Sequence, residues 1–243
     1  RQIQDGQRVI VGTGLPLVGA SLAKRTYAPN CCLLVESGMV DGCPVEAPTS
    51  VADLRFSHGA STLGETFRYF GMQNNNLRKS IMDLGFLGGA QIDPYGNLNS
   101  TSIGDYHHPS ARFSGSGGAN GIATYVNTVL MMQHQKRRFV EKVDYLTSPG
   151  WIDGPEGRRK KGLPADRGPQ VVITNLGLMR FDEETKRMYV AEYFPGVTVQ
   201  DIQDNTGFEI DVSRAKESVP PEPECLEILR NQIDPSRLYI GKE

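Results

Sequence analysis

The uncharged run Cys31-Cys-Leu-Leu-Val35 constrains this chain more than any other segment. A strand with one wet face alternates apolar and polar side chains. This run does not alternate, so it reads as a strand covered on both faces, as in parallel sheets screened by helices. The residues upstream complete a strand–helix–strand unit. Arg8-Val-Ile-Val11 is a short β-branched run closed by Gly12-Thr-Gly14. Pro16 suits the first turn of a helix, and Leu17, Val18, Ala20 and Leu22 lead to Lys24-Arg25, cations suited to its C-terminal end. Asn30 breaks the pattern before the buried strand. The expectation is an α/β fold: an open, mostly parallel twisted sheet with helices on both faces plus β-hairpin additions.

Further along, Ser37 to about Leu77 is looser and rich in Gly, Ser, Thr and Asn. Leu84 to Ile92 reads as a strand, Asp93-Pro-Tyr-Gly-Asn97 as a turn, and Leu98 to Ile103 as the returning strand. Gly115-Ser-Gly-Gly-Ala-Asn-Gly121 is the densest glycine cluster, followed by Ile122 to Tyr125 and the apolar run Val129 to Met132. Trp151 to Arg167 reads as an irregular, partly basic loop. Val171 to Thr174, Leu178 to Phe181 and Met188 to Phe194 suggest a meander, and Glu224 to Ile233 a terminal helix. No repeat or linker interrupts the 243 residues, so 1–243 reads as one domain. A chain of this size buries about 70% of its unfolded surface without staples.

Composition narrows the function. Lys and Arg number 26 against 28 Asp and Glu, a net charge of -2, and this lacks the basic surplus of a nucleic-acid binder. The longest uncharged stretch, Val9 to Ala23, contains Pro16 and is too short to span a bilayer. Cys31 and Cys32 are adjacent and point to opposite faces of a strand, and with Cys43 and Cys225 they read as small apolar residues of a reducing, cytoplasmic compartment. Residue 1 is Arg rather than Met, so the natural N-terminus is expected upstream.

Several constellations invite a chemical reading. Gly12-Thr-Gly-Leu-Pro-Leu-Val-Gly19 resembles a dinucleotide fingerprint, but its sixth position is Leu17 and Pro16 removes an amide, so it reads as a strand-to-helix turn. Glu36 follows the buried strand directly and precedes Ser37-Gly38. It reads either as a functional carboxylate at a ligand-collecting sheet edge or as a helix cap or Arg partner. The glycines around Gly117 and Gly118 read either as backbone amides that stabilise an oxyanion or as plain flexibility. Gly19-Ala-Ser-Leu-Ala23 and Gly59-Ala-Ser-Thr-Leu63 begin like a nucleophile elbow, and neither closes with glycine. His58, His107, His108 and His134 are the only histidines and show no metal-ligand spacing, so no metal is expected. The basic runs Lys136-Arg-Arg138 and Arg158-Arg-Lys-Lys161 read as solvated faces or as contacts for a phosphorylated ligand.

Taken together, VGTGLPLVGAS, VESG, GGAQIDPYGN, NSTSIGDYHHP, GSGGANGIAT, MMQHQKRRF, TSPGWIDGP and NTGF resemble the β subunits of the class I coenzyme A transferases. The resemblance implies an enzyme that moves CoA between an acyl-CoA, such as acetyl-CoA, and a carboxylic or dicarboxylic acid such as glutaconate. It implies a glutamyl-CoA thioester intermediate and a hetero-oligomer with a homologous A (α) subunit, with no permanently bound cofactor and coenzyme A as substrate. The family's catalytic glutamate lies in a Ser-Glu-Asn-Gly type motif, matched here by Val35-Glu-Ser-Gly38, so the role carries over onto Glu36. The glycine segment placed beside it carries over onto Gly117 and Gly118, as oxyanion or CoA-binding amides. Relatives that hydrolyse or decarboxylate acyl-CoA share the fold, and such a hydrolase or decarboxylase is the rival reading. Phe56 to Asn76 matches least, which bears on the identity of the acid.

Overall fold

The β-branched run read from the sequence forms β1 (Arg8–Ile10), and the glycine turn delivers the chain into α1 (Leu15–Arg25). Pro lies in the first turn of α1, Lys24 and Arg25 in its last, and Leu17, Val18, Ala20 and Ala23 are buried. β2 (Cys32–Leu34) returns parallel to β1, pairing Val9 with Leu33 and Ile10 with Leu34. Both faces of this pair are dry: Val9 and Leu33 on one are 0% and 2% exposed, Ile10 and Leu34 on the other 4% and 3%. β3 (Met39–Val40) and β4 (Thr62–Leu63) add antiparallel, and β5 (Leu84–Leu87) lies parallel to β1 on its other side, giving the order β5-β1-β2-β3-β4. The C-terminal helix Pro223–Ile228 continues into a wider turn, Leu229–Ile233, whose Ile233 packs with Val18 and Ala47.

These elements form one of two compact units, Arg1–Phe86 with Pro221–Glu243; the other is Leu87–Pro220. The computed structural model describes residues 1–50, 52–64 and 80–241. Within the Phe56 to Asn76 stretch, residues 65–76 therefore lie outside the described residues.

The second unit opens with a hairpin of β6 (Gln91–Ile92) and β7 (Leu98–Asn99), joined by the predicted Asp93–Asn97 turn. The returning strand is shorter than expected, because a turn at Ser100-Thr101 leads into a second hairpin, β8 (Ser102–Ile103) with β9 (Ala111–Arg112). The glycine cluster does not stay a loop to its end: its last three residues begin α2 (Ala119–Tyr125), which feeds β10 (Asn127–Met131). The Trp151 to Arg167 segment contains a single helical turn, α3 (Gly157–Lys160). The meander is present as β11 (Pro169–Ile173), β12 (Gly177–Phe181) and β13 (Met188–Tyr193), antiparallel to one another, while β11 runs parallel to β10. Val172, Met179 and Val190 align across the three strands and are all fully buried, each contributing about 2 kcal/mol by burial. α4 (Val199–Asp204) begins with a Thr198–Asp201 capping box, and β14 (Lys216–Glu217) pairs parallel with β13. The fold is thus α/β, with parallel strands and antiparallel hairpin additions. Among the described residues no helix is long and apolar enough to cross a membrane.

Candidate active site

Glu36 sits at the tip of the hairpin between β2 and β3. Val35 N donates to Met39 O at 3.0 Å and Gly38 N to Val35 O at 2.9 Å, closing the turn. Gly38 has φ 97, a conformation that side chains resist, so glycine lets the chain double back two residues after the glutamate. Because β1 and β2 are parallel, Glu36 and the Gly12-Thr-Gly14 turn stand beyond the same edge, and Val11 N donates to Leu34 O at 3.0 Å between them. That edge is where open α/β sheets hold ligands. Glu36 is half-buried, and among the described residues its carboxylate takes no hydrogen bond and no ion pair, from Arg or any other cation. A strand rather than a helix follows it, so it caps nothing. Beside it the Ser37 hydroxyl is buried without a hydrogen-bond partner among the described residues.

The competing motifs resolve into structural parts. Leu17, at the failed sixth position of the fingerprint, is 1% exposed and packs in the core rather than facing a ligand. His58 Nδ1 lies 2.9 Å from Cys43 O, and the exposed His107 and His108 have their amides bound to Asp105 Oδ1. His134 is 3% exposed, stacked on Phe139 and held between the Thr174 and Thr206 hydroxyls; burial lowers its pKa to about 4, so it stays neutral. The four cysteines are free.

Gly117 and Gly118 belong to the second unit. Gly117 has φ 50, and among the described residues neither amide has an acceptor. The segment is fastened on both sides. Gly115 N donates to Ser100 O at 3.0 Å, and Asn120 Nδ2 donates to Thr147 O at 2.9 Å from the first turn of α2.

The last turn of α2 is held by a residue whose role the sequence hides. Arg158, expected on a solvated basic face, is 1% exposed. Its guanidinium donates to five backbone carbonyls, of Ala123, Thr124, Pro149, Gly150 and Pro164, at 2.6 to 3.3 Å. Ala123 and Thr124 are among the carbonyls a helix end leaves open, so the Arg closes α2. Burial lowers its pKa to about 10, which leaves it charged at neutral pH. Asp93 is a second such residue. It is 5% exposed and accepts from Tyr95 N, Asn97 N and Asn97 Nδ2, and burial outweighs these donors to raise its pKa to about 6. A cavity of about 770 Å³ in the same unit, between Trp151, Arg180 and Tyr189, contains none of the predicted site residues.

The same fold and sequence recur in known proteins. The family model described as Coenzyme A transferase matches residues 1–205. The chain is 58% identical over 241 residues to the B subunit of glutaconate CoA-transferase of Acidaminococcus fermentans, covering 99% of this chain and 91% of that one. It is 38% identical to the B subunit of 3-oxoadipate CoA-transferase of Pseudomonas knackmussii, over 95% of this chain and 88% of that one. The crystal structure of glutaconate coenzyme A-transferase from A. fermentans matches with a TM-score of 0.95 at 57% identity, covering 100% of this chain and 94% of that chain.

Proposed function

The chain belongs to the coenzyme A transferase family, and from that premise we propose that it is the glutamate-bearing subunit of an enzyme that moves CoA from an acyl-CoA to a dicarboxylic acid, glutaconate or a close analogue. The two similar relatives named above act, by their names, on glutaconate and 3-oxoadipate, both dicarboxylic acids, which supports that substrate class. The single observation that carries the catalytic assignment is Glu36: a half-buried carboxylate at the ligand-collecting edge, engaged by nothing else among the described residues.

The chemistry follows from a carboxylate in that position. A Glu36 oxygen attacks the thioester carbon, and the collapse of the tetrahedral intermediate breaks the C–S bond, giving a mixed anhydride and CoA thiolate. The thiolate attacks the glutamyl carbonyl, which releases the donor acid as its carboxylate and leaves a glutamyl-CoA thioester. A second acid runs the same steps in reverse, so the kinetics are ping-pong. The Gly117 and Gly118 amides serve as donors to the oxyanions, a role worth about 3 kcal/mol per donor. No resident cofactor takes part, because one thioester is exchanged for another. The partner is a homologous α subunit, in keeping with the relatives' own names, and the free cysteines fit a cytoplasmic setting.

The test is intact-mass measurement of the assembled complex after addition of acyl-CoA without acceptor. The expected result is a gain of one CoA less water on the peptide bearing Glu36, and neither gain nor transfer in Glu36→Gln. Wild-type turnover in the Gln variant removes Glu36 as nucleophile. Rapid release of free acid and CoA without an acceptor favours a hydrolase instead.

A further inference from the structure

Lys24, in the last turn of α1, donates two hydrogen bonds of 2.7 Å, to the Cys31 carbonyl and to Asp41 Oδ1. Those acceptors are the two feet of the hairpin that carries Glu36. Cys31 opens it, Asp41 closes it, and Glu36 lies midway in sequence between them. A cation placed only to complement a helix C-terminus would have no need of either partner. The Lys24 side chain is 13% exposed and that of Asp41 34%, so the pair is better shielded than a surface ion pair.

The closing foot is held further. Asp41 N donates to Leu33 O at 2.6 Å, and Ser61 Oγ donates to the second carboxylate oxygen at 3.3 Å. Asp41 has φ 61, a left-handed conformation that Asp tolerates better than most residues. The hairpin's own ladder is short: Leu34 faces Val40, with one backbone hydrogen bond on each side, Val35 N to Met39 O and Asp41 N to Leu33 O. A hairpin this short does not fix the direction of its tip unaided.

We propose that Lys24 and Asp41 are positioning residues for Glu36: one ammonium gathers both feet of the nucleophile's hairpin and thereby aims its tip. The proposal rests on the reading of Glu36 as nucleophile. A carboxylate must meet the thioester carbon along a narrow approach, and a displacement of about 1 Å costs up to about a hundredfold in rate.

The experiment uses the complex with its α subunit. It compares Lys24→Met, Asp41→Asn, the double variant and Lys24→Arg. Measured are kcat, KM for acyl-CoA, the rate of glutamyl-CoA formation by intact mass, and the melting temperature. Each single variant is expected to lower kcat and thioester formation roughly ten- to a hundredfold, with KM changed by less than about twofold. The double variant should be no worse than either single one, because both remove one clamp, and Lys24→Arg should recover part of the loss. Wild-type kcat in an assembled variant, a loss expressed in KM, or additive effects would overturn the proposal. If Lys24→Met does not assemble, Asp41→Asn decides by the same criteria. Failure of both to assemble gives the pair a purely structural role and overturns it too. An active Glu36→Gln enzyme would remove the nucleophile and this proposal together, whereas silent Lys24 and Asp41 variants beside an inactive Glu36→Gln enzyme overturn this proposal alone.

Discussion

Two buried ionisable residues of the second unit pull stability in opposite directions with pH. His134 has its folded pKa lowered from 6.5 to about 4, so between these values the unfolded state binds the extra proton, and stability rises with pH. Asp93 has its folded pKa raised from 3.8 to about 6. Its contribution is therefore present below about pH 4 and is lost as pH rises through 6. Each shift corresponds to about 3 kcal/mol, so the two slopes largely cancel between pH 4 and 6 in the wild-type protein. Removing one group exposes the other. Asp93→Asn should make stability climb more steeply with pH than wild type over this window, and His134→Gln should make it fall. Urea unfolding midpoints from pH 4 to 6.5 read both, and parallel profiles in all three proteins would refute the assignment.

At the scale of elements, the short helix α2 shows how a weak segment is made rigid. Seven residues do not sustain a helix on their own, and α2 has no side-chain N-cap. It is held by Asn120 at its start and by Arg158 at its end, and both ties lead to the Thr147–Gly150 stretch. The amides of Gly117 and Gly118 are thus presented from a braced frame, which suits donors that act only when charge develops. Gly118 has φ -76, which alanine also adopts, so Gly118→Ala keeps the N–H and, without backbone strain, tests whether a reacting group must approach this amide closely. The expected outcome is a fall in kcat of about tenfold or more, with KM for acyl-CoA and the melting temperature little changed. An Ala variant with full kcat would leave the segment without a catalytic part. Gly117, at φ 50, is the poorer probe, because a Cβ there adds about 1–2 kcal/mol of strain whatever the chemistry.

For the whole molecule, the decisive question is whether this chain works alone. Glu36 has no base, metal cluster or nucleotide motif beside it in sequence, and the proposed mechanism requires that water be kept from an anhydride and a thioester. A site completed by a second chain meets both needs. This chain expressed by itself is therefore expected to give no transfer from acetyl-CoA to glutaconate, with activity restored on adding the α subunit. Size analysis alongside the assay shows which assembly is responsible. Robust transfer by the isolated chain would overturn the two-subunit reading without displacing Glu36.

The strand–helix–strand start, the Asp93–Asn97 turn and the β11–β13 meander were legible because they depend on neighbours in sequence: an unbroken apolar run, a proline in a first turn, a glycine where φ turns positive. Glu36 was legible as a carboxylate at a strand end, and the family resemblance supplied the role proposed for it. What the sequence could not contain is which distant groups surround a side chain. Arg158 stands in a run of four cations that reads as a wet surface, yet carbonyls from three separated segments converge on it, and among the described residues it is the largest fully buried side chain. Lys24 reads as an ordinary cation at a helix end, and only the packing of α1 against the β2–β3 hairpin gives it both feet to hold. Local propensity is written in adjacent residues, whereas desolvation and long-range hydrogen bonds exist only once the chain has closed on itself, so their assignment belonged to the tertiary structure.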